Sequence, residues 1–431
     1  MSDAVRLLRV LVVAGGEPWP LDHGGRLHLY HVLRHLCTCT DVTLAIPARF
    51  RHAHRLPDGV KRVEIRAESA SRFVPDDAIG RPTWIEQRAA RHFGLRPQIA
   101  AYLCESTADG AFDVVMLCGS VLGQYARCCR CPVVWNPQDE LVLATLRERR
   151  AQPWTRWPAL LRRAALYAVC ERAIQQRVAA SVYVSPIDAA WARRWSPGAN
   201  IVSIPNGVDL DYFRPTDREP VPGRVVFVGA LDFAPNVDAA CWLAERVWPT
   251  LRARDARRTL HIVGRAPLPR VRALAQQPGV VVRADVPDVR PELAAAAVVA
   301  VPMRTGGGLK NKILEAAAMR RPVVASPVAL GGLTARPGLD VLVADGAYEW
   351  AAQLERLLSD PHDAEVLAAR GRAWVETAHD WARTGEQFRA ILALAAGRPA
   401  TAPPAHEPLP YEPPAAPPPA AVVETQETAC P

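Results

Sequence analysis

Lysine is almost missing from this chain. Of its 52 basic residues, all but Lys61, Lys310 and Lys312 are arginine. Where a positive charge alone is wanted, arginine supplies it. Two lysines in one helical turn therefore point to a need for a compact ammonium on a flexible stem. Long apolar runs are missing as well: none approaches the 18 or so residues of a membrane-spanning helix. The opening MSDAVRLLRVLVVAGG has an apolar core of about eight residues that runs into glycines, without the cleavage region of a signal peptide, and reads as a first strand. Paired CxxC arms are absent despite ten cysteines. Cys128, Cys129 and Cys131 lack the spacing of a zinc site and read as small reduced thiols ahead of a strand. GGEPWP is not a G-x-G-x-x-G fingerprint, and no acidic residue in the right context completes a dinucleotide site, which makes a dehydrogenase a poor reading. A cytoplasmic protein with reduced thiols and no metal is the expectation.

What is present is globular in composition, with 49% hydrophobic and 22% charged residues over 431 positions. That length makes two domains the default. A net charge of +8 suits anionic partners, whether phosphorylated small molecules, an anionic membrane face or nucleic acid.

Short apolar strands alternate with amphipathic helices, as in parallel α/β sheets. Strands are expected at 8–14, 42–46, 60–66, 113–117, 132–135 and 181–184, with helices at 26–36 and 158–179. A second series falls at 224–230, 259–264, 280–284, 298–302, 322–326 and 341–345. The join lies near SIPNGVDLDYFRPTDREPVPG (203–223), which has no period. The domains are thus 1–205 and 206–396, with the last helix expected to pack back on the first domain. From Arg398 onward 11 of 34 residues are proline, so 397–431 reads as a disordered tail.

The stretch GGGLKNKILEAAAMRRPVVAS (306–326) carries the chemistry. Glycines ahead of a helix let backbone N–H groups approach an anion, and the helix dipole favours negative charge there. Lys310 and Lys312 would lie in the first turn of a helix starting near Leu309. Cations are unfavourable at that end, so they are expected to meet a bound anion. Glu315, one turn on within ILEAAAM, must find donors or remain solvated, and sugar hydroxyls would serve. A plain helix after a glycine loop, with chance charges, is the bland reading.

This segment resembles the donor site of family 4 glycosyltransferases of the GT-B fold. Three further stretches are similar to that family: VYVSPIDAAWARRW…IVSIPNGVDLDYFRP (182–215), VVFVGALDFAPNVDAACWLAERVWPTL (225–251) and GGEPWPLDHGGRLHLYHVLRHL (15–36). The resemblance is strongest to an exopolysaccharide-associated branch. It implies two doubly wound Rossmann-like domains facing across a cleft, and retaining sugar transfer from a nucleotide-diphosphate sugar to a glycan or lipid-linked acceptor. It also implies roles for residues. Glu315 matches the second glutamate of an E-x7-E motif and would hold the ribose. Gly307 stands where the first would be, a departure at the donor sugar. Gly308 and Leu309 would offer amides to the pyrophosphate, and Gly24 and Gly25 would let the first loop approach it. Gly229, which ends the strand that opens the second domain, and Gly307 count with these as donor-binding candidates. The family's basic residues after that strand are missing from ALDFAPNVDAA, so Lys310, Lys312 and Arg304 would supply the charge.

In VVWNPQDELVLATLRERR (133–150), Asp139 or Glu140 could bind donor sugar or acceptor, or cap the next helix. Lys310 and Asp139 are the catalytic candidates. Glu171 resembles a recurrent family glutamate and reads as structural. DLD at 209–211 sits in a turn and implies no metal. The basic stretch 147–177, with Trp154 and Trp157, suits peripheral contact with an anionic membrane, or equally a solvated face with its tryptophans in the core. It shows no nucleic-acid recognition pattern. Two other functions fit the same shape: a sugar-nucleotide epimerase, or a degenerate protein that binds a sugar nucleotide or a partner.

Overall fold

A computed structural model describes residues 7–21, 24–66, 83–148, 152–306 and 308–399. Seven parallel strands form the first sheet: β1 (Leu8–Ala14), β2 (Thr40–Ile46), β3 (Lys61–Glu64), β4 (Val114–Cys118), β5 (Val133–Gln138), β6 (Ala180–Tyr183) and β7 (Ile201–Ser203). Their order is β3-β2-β1-β4-β5-β6-β7. Six more make the second sheet: β8 (Arg224–Val228), β9 (Thr259–Gly264), β10 (Val280–Ala284), β11 (Val298–Val301), β12 (Val323–Ala325) and β13 (Leu342–Val343). Their order is β10-β9-β8-β11-β12-β13. Both are doubly wound, reversing direction beside β1 and beside β8. A ligand binds at such a reversal, beyond the carboxyl ends of the strands.

Parallel strands covered on both faces read as continuous apolar runs. LRVLVVA and RVVFV bury nearly every side chain accordingly. β7 was not among the expected strands: three residues at a sheet edge, two of them half-buried, leave no run to read. Local chemistry sets several helix starts. Ser185 accepts a backbone bond as cap of helix Pro186–Trp195, and Asp360 and Asp380 cap the helices that follow them.

The two domains are stitched together near the interdomain segment. Val208 bridges Asp380, and Thr384 Oγ1 donates to the Pro205 carbonyl at 3.0 Å. The crossing is tight at Gly207, where a Cβ would lie 2.4 Å from the Trp381 nitrogen. Beyond it, helix Trp381–Ala395 returns to the first domain. There Trp381, Phe388 and Leu392 join Leu29, Val32, Leu33 and Leu36 in one core cluster. The tail expected at 397–431 falls, from residue 400 onward, outside the described residues.

Candidate donor site

The segment that carries the two lysines follows β11 and faces the end of β8. Helix Asn311–Ala318 starts two residues later than the sequence suggests, so Lys310 is its N-cap residue and Lys312 lies in the first turn. The Lys312 ammonium donates to Asn236 Oδ1 at 2.8 Å and stands 4.8 Å from the centre of the Phe227 ring. Burial, with Lys310 beside it, lowers its pKa to about 7 against the pull of Glu315. Glu315 is raised to about 7 by burial, partly offset by Lys312. Lys312 and Glu315 are thus both pushed toward their neutral forms by the protein packed around them. An incoming polyanion would restore the lysine's charge.

Gly229 is part of this packing. A Cβ there would sit 2.9 Å from both the Asn236 amide and the Lys312 ammonium. Only glycine lets the strand end pass beneath that pair. Arg304 is drawn elsewhere: it pairs with Asp238 at 3.4 Å and lies over Trp242 at 5.9 Å, on helix Ala234–Trp242. Leu309 packs half-buried against the second domain's core. Gly307 lies outside the described residues.

Across the domain junction, Gly308 has φ +68°, and a Cβ on it would meet Asp139 Oδ1 at 3.0 Å. Gly24 opens helix Gly24–Leu36, with Gly25 next to it. Asp139 follows β5. It is exposed as a residue, but its carboxyl lies beside Gly308, and desolvation there raises its pKa against the pull of Lys310 and Arg147. Lys310 is lowered to about 8 by burial, with Asp139 the main group holding its charge. The structure thus brings Lys310, Asp139, Gly308 and Gly24 to the junction, and Lys312, Glu315 and Gly229 just behind it.

Behind Asp139 lies a carboxyl cluster. Glu140, rather than Asp139, takes the cap, accepting the Leu143 N–H of helix Leu141–Glu148. Glu171 accepts the Leu141 N–H at 3.2 Å, and burial with Glu140 against it pushes its pKa well above the carboxylate range. Asp188 is raised to about 7 by burial and by Asp139. Among the described residues, no three His, Cys, Asp or Glu side chains converge as metal ligands would.

Sequence reasoning missed four asparagines and a histidine: Asn136, Asn206, Asn236, Asn311 and His28. Their partners lie up to 178 residues away. A polar residue inside an apolar pattern, as in LHLYHVL or APNVDAA, is the one signal that could have found them.

Residues 222–360 match the model of the family described as glycosyl transferases group 1. No curated protein shows significant similarity to the chain. Among solved structures, sucrose-phosphate synthase from Thermosynechococcus elongatus is 18% identical, with TM-score 0.62 over 89% of this chain and 97% of that one. Anabaena Alr3699/HepE, solved in complex with UDP and glucose, is 14% identical, with TM-score 0.61 over 90% and 99%. WaaG, a glycosyltransferase involved in lipopolysaccharide biosynthesis, is 15% identical, with TM-score 0.61 over 89% and 99%. The fold is GT-B. With the group 1 domain in its second half, the chain is supported as a glycosyltransferase.

Proposed function

We propose that this chain is a retaining family 4 glycosyltransferase. It moves a sugar from a nucleotide-diphosphate sugar to a glycan or lipid-linked acceptor, in exopolysaccharide or cell-surface glycan synthesis at the cytoplasmic face of a membrane. The carrying observation is the placing of Lys312 and Glu315 on helix Asn311–Ala318 against the end of β8, where Lys312 meets Asn236 above Gly229, beside the reversal point of the second sheet. Glu315 holds the ribose hydroxyls, and Lys310 and Lys312 hold the diphosphate. Charge develops on that leaving group as the anomeric C–O bond breaks, and fixed ammonium groups stabilise that state more than the ground state. Transfer occurs on one face of the sugar, with the departing phosphate accepting the acceptor hydroxyl's proton. Asp139, facing Lys310, orients donor sugar or acceptor. No metal is required in this scheme.

Membrane contact rests on the first domain. Trp154 is 76% exposed and Trp157 40%, which takes them out of the core, and arginines 156, 162 and 163 adjoin them. No described helix is long and apolar enough to cross a membrane.

Thermal melting with UDP, GDP, dTDP and ADP tests the donor site. One nucleotide should raise Tm in wild type but not in Glu315→Gln or Lys310→Ala. At one hundred times its dissociation constant a ligand adds about 2.7 kcal/mol. Acceptor-dependent product of retained configuration, followed by NMR, separates transfer from epimerisation. No shift with any nucleotide would leave a degenerate binder.

A further inference from the structure

A directed chain of side-chain hydrogen bonds runs from the first domain into the second. His28 is 1% exposed, and its Nε2 lies 2.8 Å from Asn136 Nδ2 while its Nδ1 lies 2.8 Å from Asn206 Oδ1. Burial keeps the imidazole neutral, lowering its pKa to about 4. A neutral ring has one N–H. With the Asn136 amide nitrogen turned to Nε2, the ring proton is assigned to Nδ1, the tautomer that donates to Asn206. That occupies the Asn206 oxygen, and Asn206 Nδ2 in turn donates to Asn311 Oδ1 at 3.3 Å.

The backbone that carries Asn206 is pinned: its main-chain carbonyl lies 2.9 Å from His379 Nδ1, and Val208 N–H donates to the His379 carbonyl at 2.7 Å. Edge-to-face contacts from Trp381 and Phe388 hold the His28 ring. The relay therefore dictates which end of the Asn311 amide faces which way. Its oxygen is turned into the relay, and its nitrogen faces Gly24, where a Cβ would lie 3.8 Å away. Asn311 Nδ2 donates to no described protein atom.

We propose that Asn311 is a donor-binding residue whose side-chain N–H is aimed by His28 and Asn206 at a diphosphate oxygen between the two domains. This rests on the reading of the cleft as a nucleotide-diphosphate site. Asn311 stands between Lys310 and Lys312 and opposite the start of helix Gly24–Leu36, so its N–H completes a shell of donors drawn from both domains. A hydrogen bond to a charged oxygen is among the stronger ones. His28 and Asn206 are positioning residues and touch no ligand.

The polarity of the relay supplies the test. Asn206→Asp is isosteric and still accepts from His28, but it has no N–H for Asn311. The Asn311 amide must then turn over, giving its nitrogen to the relay and its oxygen to the phosphate. Full-length wild type, Asn206→Asp and Asn311→Ala would be titrated with UDP, GDP, dTDP and ADP, and with the nucleoside of whichever binds. Both variants should lose about tenfold or more in diphosphate affinity, with nucleoside affinity unchanged because Glu315 is untouched. Asn311→Ala gives up one long bond at a half-buried position, so it should melt near wild type. Diphosphate affinity within about twofold of wild type in Asn311→Ala overturns the role of Asn311. Equal loss of nucleoside and diphosphate affinity in the variants overturns it too, since that marks general damage. Wild type binding none of the four overturns the nucleotide reading itself, and this inference with it.

Discussion

Replacing Lys312 with methionine should make the free protein more stable and useless at its task. Lowering the ammonium from 10.5 to about 7 costs the fold about 5 kcal/mol at any pH below 7. Against this stand the bond to Asn236 at 2.8 Å, worth about 1.5–3 kcal/mol, and the contact with the Phe227 ring, worth about 1–2 kcal/mol. Methionine has a similar length and no charge to bury, so about 1–2 kcal/mol of net stabilisation remains. At about 2–4 °C per kcal/mol for domains of this size, Tm should rise by about 5 °C. The pH dependence follows from the sign of the shift. Between pH 7 and 10.5 the unfolded chain binds a proton that the folded one has lost, so wild-type stability rises with pH. The variant's advantage is thus full below pH 7, shrinks by about 1.4 kcal/mol per pH unit above it, and is gone near about pH 8, beyond which wild type is the more stable. Scanning calorimetry from pH 6 to 10, with and without nucleotide, checks both halves. A variant melting below wild type at pH 6, or keeping the whole nucleotide-induced shift, would refute the reasoning.

Other perturbations probe neighbouring claims. Gly229→Ala places a methyl 2.9 Å from Asn236 and Lys312; calorimetric titration should show nucleotide affinity reduced by tenfold or more, with Tm falling less than for a core lesion. Gly207→Ala drives a Cβ to 2.4 Å from the Trp381 nitrogen and should cost at least about 2–3 kcal/mol in urea unfolding. Glu171 keeps its proton above the usual range, so wild-type stability falls as pH rises from the ordinary carboxylate value through the folded one. Glu171→Gln should lessen that slope in urea melts across pH 5–9, leaving the part that Asp188, raised to about 7, contributes. Trp154→Ala should leave Tm unchanged while weakening co-sedimentation with anionic vesicles.

The two sheets were legible because parallel strands, buried on both faces, are written as unbroken runs such as LRVLVVA and RVVFV. β7 escaped because a three-residue edge strand has no such signature. The lysine segment stood out by composition alone, since an arginine-rich chain seldom uses lysine. Its exact helix start did not, because Lys310 caps without a side-chain bond. The relay was illegible for a different reason. Asn136, His28, Asn206 and Asn311 each look unremarkable in their own segment, and only the fold brings them within 2.8–3.3 Å of one another.

The return of helix Trp381–Ala395 to the first domain bears on how the chain is made. While it emerges from a ribosome, the first sheet is complete once Ser203 is out, but the apolar side of helix Gly24–Leu36 still lacks Trp381, Phe388 and Leu392. Nearly two hundred more residues must follow before that face is covered. The amino-terminal half therefore waits, greasy side open, for the last helix to arrive. A fragment ending at the interdomain segment should aggregate or recruit a chaperone rather than behave as a domain. Supplying 381–395 as a separate peptide should rescue it.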